Sequence, residues 1–241
     1  MPQKEEYRIS VATDTIIFKL KSRIKEYPAL FHILNHILGA YVGKSAKQAI
    51  KALPKDSCII NIGSGAEIVR EDVINVDCTA YSGVAVVADV HHLPFKDESA
   101  DAVIAESVLE HTQHPQIVID EILRVLKSGG LVYITAPFII GFHSSPGDYY
   151  RWTASGLREL LQSFKEKELG IAVGPTNALT YVLREWLALL FSFGSGTLHQ
   201  FWVLFFMVIF VPFNFLDYLL VHFRRAENIA HIFYFIGHKK A

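Results

Sequence analysis

Three short stretches carry residue types that could bind a nucleoside. The run Ile59-Ile60-Asn61-Ile62-Gly63-Ser64-Gly65 is an apolar segment that ends in a glycine-rich turn. Glycines let the backbone bend sharply and let a ligand approach with no Cβ in the way. Asp77 closes the next apolar run, Val73-Ile74-Asn75-Val76. An acid at a strand tip can accept hydrogen bonds from both hydroxyls of a ribose. Ala88-Asp89-Val90 follows a third run, where a carboxylate would take an exocyclic adenine amine and the Val90 backbone a ring nitrogen. Taken singly, each is equally well a tight turn or a loop acid facing water. Three in order, after three successive strands, weigh against coincidence. A nicotinamide dinucleotide fingerprint would need a third glycine where Ile68 stands, which counts against an oxidoreductase.

A second set lies further on. His111 follows a fourth apolar run, and His143 lies in a polar loop after a fifth. Either is a candidate general base, and His111 is alternatively a residue that caps the loop into the next helix. Asp148, Tyr149, Tyr150 and Arg151 share the His143 loop. Arg151 suits a carboxylate or phosphate, and the tyrosines suit a sugar or a ring, so the loop reads as an acceptor-binding wall or as a self-locking network. His91-His92 point to opposite sides of an extended chain, with no acid–His set at ligand spacing after them, so no metal site is expected.

The elements that must position these residues alternate in type. Strands are expected at 57–62, 73–76, 84–88, 102–105 and 131–136. A helix is expected over Pro115–Leu126, with Ile117, Val118, Ile122, Val125 and Leu126 on its apolar side. Lys127-Ser128-Gly129-Gly130 would stop it through a left-handed glycine. A further helix is expected from about Thr153, its N-cap, to Phe164. The alternation argues a parallel sheet with helices on both faces, and continuous apolar runs fit strands covered on both sides. Ahead of this core, Ala29–Val42 repeats apolar residues at helical spacing, and a second amphipathic segment, 46–53, ends at Pro54.

The chain has 241 residues, 51% hydrophobic and 20% charged, which suits one domain with an embellishment and a large core. A formal net charge of −1 gives no electrostatic footprint for nucleic acid. Cys58 and Cys78 make no disulfide framework and read as reduced thiols of a cytosolic compartment. The polar N-terminus reads as no secretory signal.

The run resembles the class I S-adenosylmethionine-dependent methyltransferases of the small-molecule type, the methyltransferase type 11 group. The resemblance rests on Asn61-Ile-Gly-Ser-Gly65, Asp77, Ala88-Asp-Val90, Leu93-Pro94-Phe95, Asp101 to His111 with its Leu109-Glu110-His111, Arg124-Val-Leu-Lys-Ser-Gly-Gly130 and Pro137. It covers about residues 57–165. It implies a Rossmann-like seven-stranded, mostly parallel sheet with a late antiparallel strand, and S-adenosylmethionine as cofactor. By position, Asn61, Gly63, Ser64 and Gly65 would flank the methionine part, Asp77 would hold the ribose, and Asp89 and Val90 the adenine. Glu106 would sit beside the methyl donor. The family usually has an acid where Asn61 stands. About a dozen residues separate Gly65 from Asp77, so the first crossover helix must be short or irregular, with Glu67, Arg70, Glu71 and Asp72 near the cofactor's tail. His143 to Arg151, followed by Trp152-Thr153, resembles a subgroup associated with surface-glycan and lipid-linked pathways.

The last quarter is different. Phe201 to Val211 is almost wholly apolar, and the stretch to Val221 contains one acid, Asp217. Its length is close to the ~20 residues of a membrane helix. Yet Asn228 to Ile236 alternates like a strand. If that strand rejoins the sheet, both ends of the insertion stay on one side and a single crossing is impossible. A re-entrant hairpin bent at Pro212, an interfacial helix or a buried lid is expected instead. The expected organisation is a helical arm at 1–54, a cofactor-binding core at 55–175, an apolar helical insertion at 176–225 and a final strand within 226–241. The leading expectation is a methyltransferase acting on a small or lipid-linked acceptor, at the cytoplasmic side of a membrane touched by residues 197–223. The competing one is a non-catalytic module of the same fold that binds a membrane or a protein partner.

Overall fold

The computed structural model describes residues 41–143 and 147–240. The amphipathic stretch 29–42 therefore lies almost entirely outside the described residues. Seven strands form one sheet in the order β3-β2-β1-β4-β5-β7-β6. They are β1 (Ile59–Ile62), β2 (Ile74–Asp77), β3 (Val86–Val87), β4 (Ala100–Glu106), β5 (Leu126–Pro137), β6 (Phe164–Val173) and β7 (Ile232–Lys239). The first five run parallel, and β7 runs antiparallel to both β5 and β6. This is the expected seven-stranded, mostly parallel sheet with its late antiparallel strand.

The helices are unevenly distributed. Short α1 (Ala46–Ala49) has a Ser45/Gln48 capping box and packs Ala46 on one sheet face with Ile50, Ile59, Ala102 and Tyr133. On the other face lie α2 (Pro115–Val125) and α3 (Ala154–Leu160), burying Val118, Ile119, Ile122 and Leu157 against Ile60, Val103, Val132 and Phe235. Thr153 caps α3 as expected, accepting from the Gly156 N–H at 3.1 Å. No α-helix lies between β1 and β2, β2 and β3, or β3 and β4.

Two local expectations are corrected. Helix α2 stops at Val125, ahead of the glycines, because Leu126 turns extended and pairs with Ala100. The left-handed Gly129 (φ 73°) instead serves the irregularity between the Ala100 and Ala102 pairings. The helix expected to reach Phe164 ends at Leu160, and 164–173 becomes the edge strand β6.

The apolar insertion is a helical hairpin, α4 (Pro175–Phe191) and α5 (Gly196–Asn214), followed by one turn, α6 (Asp217–Leu220). It leaves the sheet after Val173 and returns before Ile232, and these two residues are paired. Both ends of the hairpin therefore meet the sheet at one place. The bend is not at Pro212, which sits in the last turn of α5, but at Phe193 and Gly194 with φ of 48° and 81°. Asp217, the one acid of the apolar stretch, is fully buried at the hairpin's base. Its carboxylate accepts the Thr176 and Asn177 N–H groups at 2.6 and 3.0 Å and the Asn177 side-chain amide at 2.9 Å. It thus caps α4 from 41 residues away, satisfying orphan helix donors and adding a charge where the helix dipole favours it.

Asp217→Ala leaves two buried N–H groups without an acceptor and is expected to cost about 2–3 kcal/mol. That lowers the thermal midpoint by roughly 4–12 °C. Circular dichroism melts check it: a midpoint equal to that of the unaltered chain removes the capping role.

Candidate functional site at the strand tips

The order of the strands reverses between β1 and β4, so the connections leaving these neighbours go to opposite sides of the sheet. Ligands in open α/β sheets bind at such a switch point, outside the carboxyl ends of the strands. Ile62 pairs with both Val76 and Ala105, which brings the ends of β1, β2 and β4 side by side. Gly63 and Gly65 turn the chain just beyond, with φ of 61° and 55°. A Cβ on Gly63 would strike the Val108 side chain, whereas one on Gly65 would meet nothing within 4 Å. The space over Gly65 is open for a ligand.

With no crossover helix to hold them, the tips are tied by side chains. Asp77 is buried and accepts the Gly65 N–H at 2.8 Å and the Thr79 N–H at 2.9 Å. A carboxylate has about four acceptor positions, so two remain. Asn61 is buried and donates to Asn75 at 3.1 Å, and Asn75 donates to the Glu67 and Gly83 carbonyls. One amide thereby pins both irregular connections that flank β2. Asp89 is exposed, and its acidity is strengthened first by the His91 N–H that it accepts at 2.9 Å, burial acting in the opposite direction. Val90 packs against the core below it.

The loop after Val90 is held by α2. Glu121 accepts the Leu93 N–H at 2.8 Å, and Arg124 donates to the Leu93 and Phe95 carbonyls while pairing with Glu121 and Asp97. Its bond to Arg124 is the chief cause that draws the Glu121 carboxyl below the usual range.

A cavity of about 1030 Å³ opens beside these tips. Glu67, Glu106, Ser107 and Thr135 line its sheet side, and Tyr181, Met207 and Phe210 of the hairpin face them. Of the residues expected to hold a cofactor, Glu106 lines this cavity, whereas Asn61, Gly63, Ser64, Gly65, Asp77, Asp89 and Val90 are not among its lining residues. Ser107 has a left-handed φ of 53° and donates its N–H to the Thr135 hydroxyl at 2.9 Å. Such strain in a non-glycine residue persists only where its surroundings impose it. Burial, with the negative Glu67 nearby, pushes the Glu106 carboxyl up to about 8.

The second predicted set forms one network. Arg151 grips Asp148 with two bonds of 2.5 and 2.6 Å and also donates to the Ile140, Gly141 and Tyr150 carbonyls. Burial alone would raise the Asp148 carboxyl, but Arg151 and the His143 N–H hold it below its ordinary value. Tyr150 donates to Gln113 and stacks on Trp152. The guanidinium expected to meet an acceptor anion thus spends its donors on the loop itself. His111 Nδ1 donates to Gly147 at 2.6 Å, and its ring meets that of His143 edge-on at 4.9 Å. Burial lowers the His143 pKa.

Three residues at the site had no predicted role. Glu110 is fully buried beside His111, although it was visible in the Leu-Glu-His motif. Tyr181 and His231 meet with tilted rings, centroids 5.5 Å apart, on the cavity wall, and burial drops the His231 pKa to about 4. Neither belongs to any local motif.

Comparison with known proteins bears on the fold. Residues 61–134 match the family described as a methyltransferase domain. An uncharacterized protein of Methanocaldococcus jannaschii is 43% identical over 49 residues, which is 20% of this chain and 24% of that protein. The match therefore spans about a quarter of the relative's length. A solved S-adenosylmethionine-dependent methyltransferase of Thermotoga maritima shares 15% identity at a TM-score of 0.50, covering 90% of this chain and 98% of its own. A chain of the Haloferax volcanii complex of the Trm112 methyltransferase activator shares 16% at 0.51, covering 95% and 97%. At such identities the structural likeness is one of fold.

Because the folded Glu106 carboxyl titrates above its unfolded value, its contribution is fully present below about pH 4.5 and is lost as pH rises to about 8. Glu106→Gln is expected to flatten part of the fall in thermal midpoint between pH 5 and 8. Parallel pH–stability curves for the two proteins would contradict it.

Proposed function

We propose that this chain, which carries a class I S-adenosylmethionine-dependent methyltransferase domain, transfers methyl groups to an acceptor bound in the cavity beside Glu106. The observation that carries the reading is the meeting of the open glycine turn, Asp77 and Glu106 at the switch point, within the stretch that matches the methyltransferase family. The residues fit the cofactor. The clear space over Gly65 admits a ligand backbone-close, and the free acceptor positions of Asp77 suit ribose hydroxyls. Asp89 and Val90 would take the adenine. Glu67 and Glu106 supply the negative charge that Asn61 lacks for a cationic amino acid tail.

The bound cofactor supplies an electrophilic methyl on a sulfonium, so the protein's work is alignment and electrostatics, with alignment able to contribute roughly 7–11 kcal/mol. A positive charge held nearby would stabilise the Glu106 carboxylate, its proton passing to solvent. Ser107 and Thr135 orient the acceptor from the sheet side. His143, Asp148, Tyr150 and Arg151 would contribute an adjoining wall, with His111 in edge contact with His143.

We further propose that the acceptor is small or lipid-linked, glycan-related by the resemblance of the 143–153 stretch, and is met at the inner face of a membrane. Residues 186–216 contain no Asp, Glu, Lys or Arg, and α5 has a mean hydropathy of 1.7 with little of it buried. Leu189, Leu190, Phe193, Leu198 and Phe201 are exposed around the bend, Phe193 at 87%. A hairpin entering and leaving at one sheet edge suits insertion into one leaflet rather than a crossing. The non-catalytic alternative draws support from Asn61, whose amide is occupied by Asn75.

Isothermal titration with S-adenosylmethionine separates the two readings. Saturable one-to-one binding is expected, weakened about 10–30-fold in Asp77→Ala by the loss of two ribose hydrogen bonds. Absence of heat at high protein concentration sinks the enzymatic reading. For the membrane, the full chain is expected to float with anionic liposomes, and Leu189→Ser with Phe193→Ser to release it into the soluble fraction. Flotation unaffected by the pair excludes the hairpin tip as the contact.

A further inference from the structure

We propose that Glu110, His111 and His143 form a binding site for a divalent transition ion of the Zn²⁺ class. The three residues come from two chain segments, the 3-10 turn Leu109–His111 and the loop after β5. Their ligand atoms lie within 4.8 Å of one another. His143 Nε2 is 3.8 Å and His111 Nε2 4.0 Å from Glu110 Oε1. These separations are too long for direct hydrogen bonds, which end near 3.2 Å. An ion held tetrahedrally at about 2.0–2.1 Å sets its ligands roughly 3.4 Å apart, so modest contraction closes the site.

Glu110 argues most strongly that something belongs there. It is 0% exposed, and neither carboxylate oxygen has a partner at hydrogen-bonding geometry. A buried carboxylate left unpaired is costly, and such groups are normally paired or coordinate a metal. Nearby Asp148 and Arg151 are already paired with each other, so Arg151 acts on Glu110 as a charge at a distance and makes no bond to it.

His111 is prepared as a ligand. His111 Nδ1 donates to the Gly147 carbonyl at 2.6 Å, which fixes the tautomer with a lone pair on Nε2, the atom facing Glu110. Metal-bound histidines are oriented in this way by a partner on the other ring nitrogen. His143 has Nδ1 at 3.4 Å from both the Gly141 carbonyl and the Arg151 guanidinium, and turns Nε2 to the same point. Two imidazoles and one carboxylate suit zinc or its first-row neighbours rather than magnesium or calcium. Three protein ligands leave a fourth position for water or an acceptor oxygen. The ion would also clip the 141–151 loop to the end of β4. The sequence concealed the set, since His143 lies 32 residues from His111 and His91-His92 are the obvious histidine pair.

The test needs no methyltransferase activity, so it stands or falls apart from the function proposed above. The full chain is stripped with a chelator, dialysed and titrated with Zn²⁺ by calorimetry, and Co²⁺ is added separately to read its visible absorption. One Zn²⁺ per chain and a tetrahedral Co²⁺ spectrum are expected. Glu110→Gln and His143→Ala should each weaken Zn²⁺ binding at least tenfold, while His91→Ala with His92→Ala leaves it unchanged. If Glu110→Gln fails to fold, His143→Ala on the loop carries the test alone. No stoichiometric Zn²⁺, or binding unaltered in His143→Ala, overturns the site.

Discussion

The buried hydrogen bond from Asn61 to Asn75 is the constraint on which the strand tips depend. In a parallel sheet the connecting helices normally fix where each strand ends, but the first three connections here contain none. Side chains replace them. Asn75 reaches from β2 to the backbones on either side, Asp77 holds the glycine turn, and Glu121 with Arg124 grips the Leu93–Phe95 loop. Each bond is short and mostly shielded, where a satisfied polar group rigidifies its neighbours and an unsatisfied one is expensive. The Asn61 side chain serves this lattice, and two other carboxyl groups, Glu67 and Glu106, line the cavity nearby.

The hairpin is governed by a comparable rule. Its apolar surface would be hard to anchor to a sheet edge without a polar base, and Asp217, Asn177, Thr180 and Asn214 provide one. That base fixes α4 against the end of β6, so Tyr181 and Arg184 face the sheet with the Arg184 guanidinium over the Tyr181 ring. Met207 and Phe210 then bring the apolar helix to the same cavity that Glu106 borders. A pocket polar at one end and apolar at the other follows from the position of one buried acid. Anchoring and recognition share the same element.

Much of the fold was legible in the sequence because the telling residues bond to each other. Leu93, Phe95, Glu121 and Arg124 form one clamp, so the Leu-Pro-Phe and Arg-Val-Leu-Lys pieces occur together for a mechanical reason. Strand β6 escaped because Lys165, Glu166, Lys167 and Glu168 give an edge strand a charged face that looks like a loop, a pattern that also discourages pairing with other chains. The hairpin bend was misplaced because proline is a louder signal than Phe193-Gly194, whereas Pro212 lies inside α5, two residues before its end. The site was legible where its residues follow strand ends, as Gly63, Asp77 and Glu106 do. Glu110 with His143, and Tyr181 with His231, become neighbours through the hairpin and the loop after β5, and no spacing in the sequence encodes that.

The central claim is that the tips of β1, β2 and β4 form one cofactor cleft. A crystal structure of the full chain with S-adenosylhomocysteine tests it most directly. The account predicts the ribose on Asp77, the amino acid tail over Gly65 toward Glu67 and Glu106, and the adenine by Asp89 and Val90. Density for the ligand elsewhere, or crystals in which the Gly63–Gly65 turn closes over the space, would contradict it.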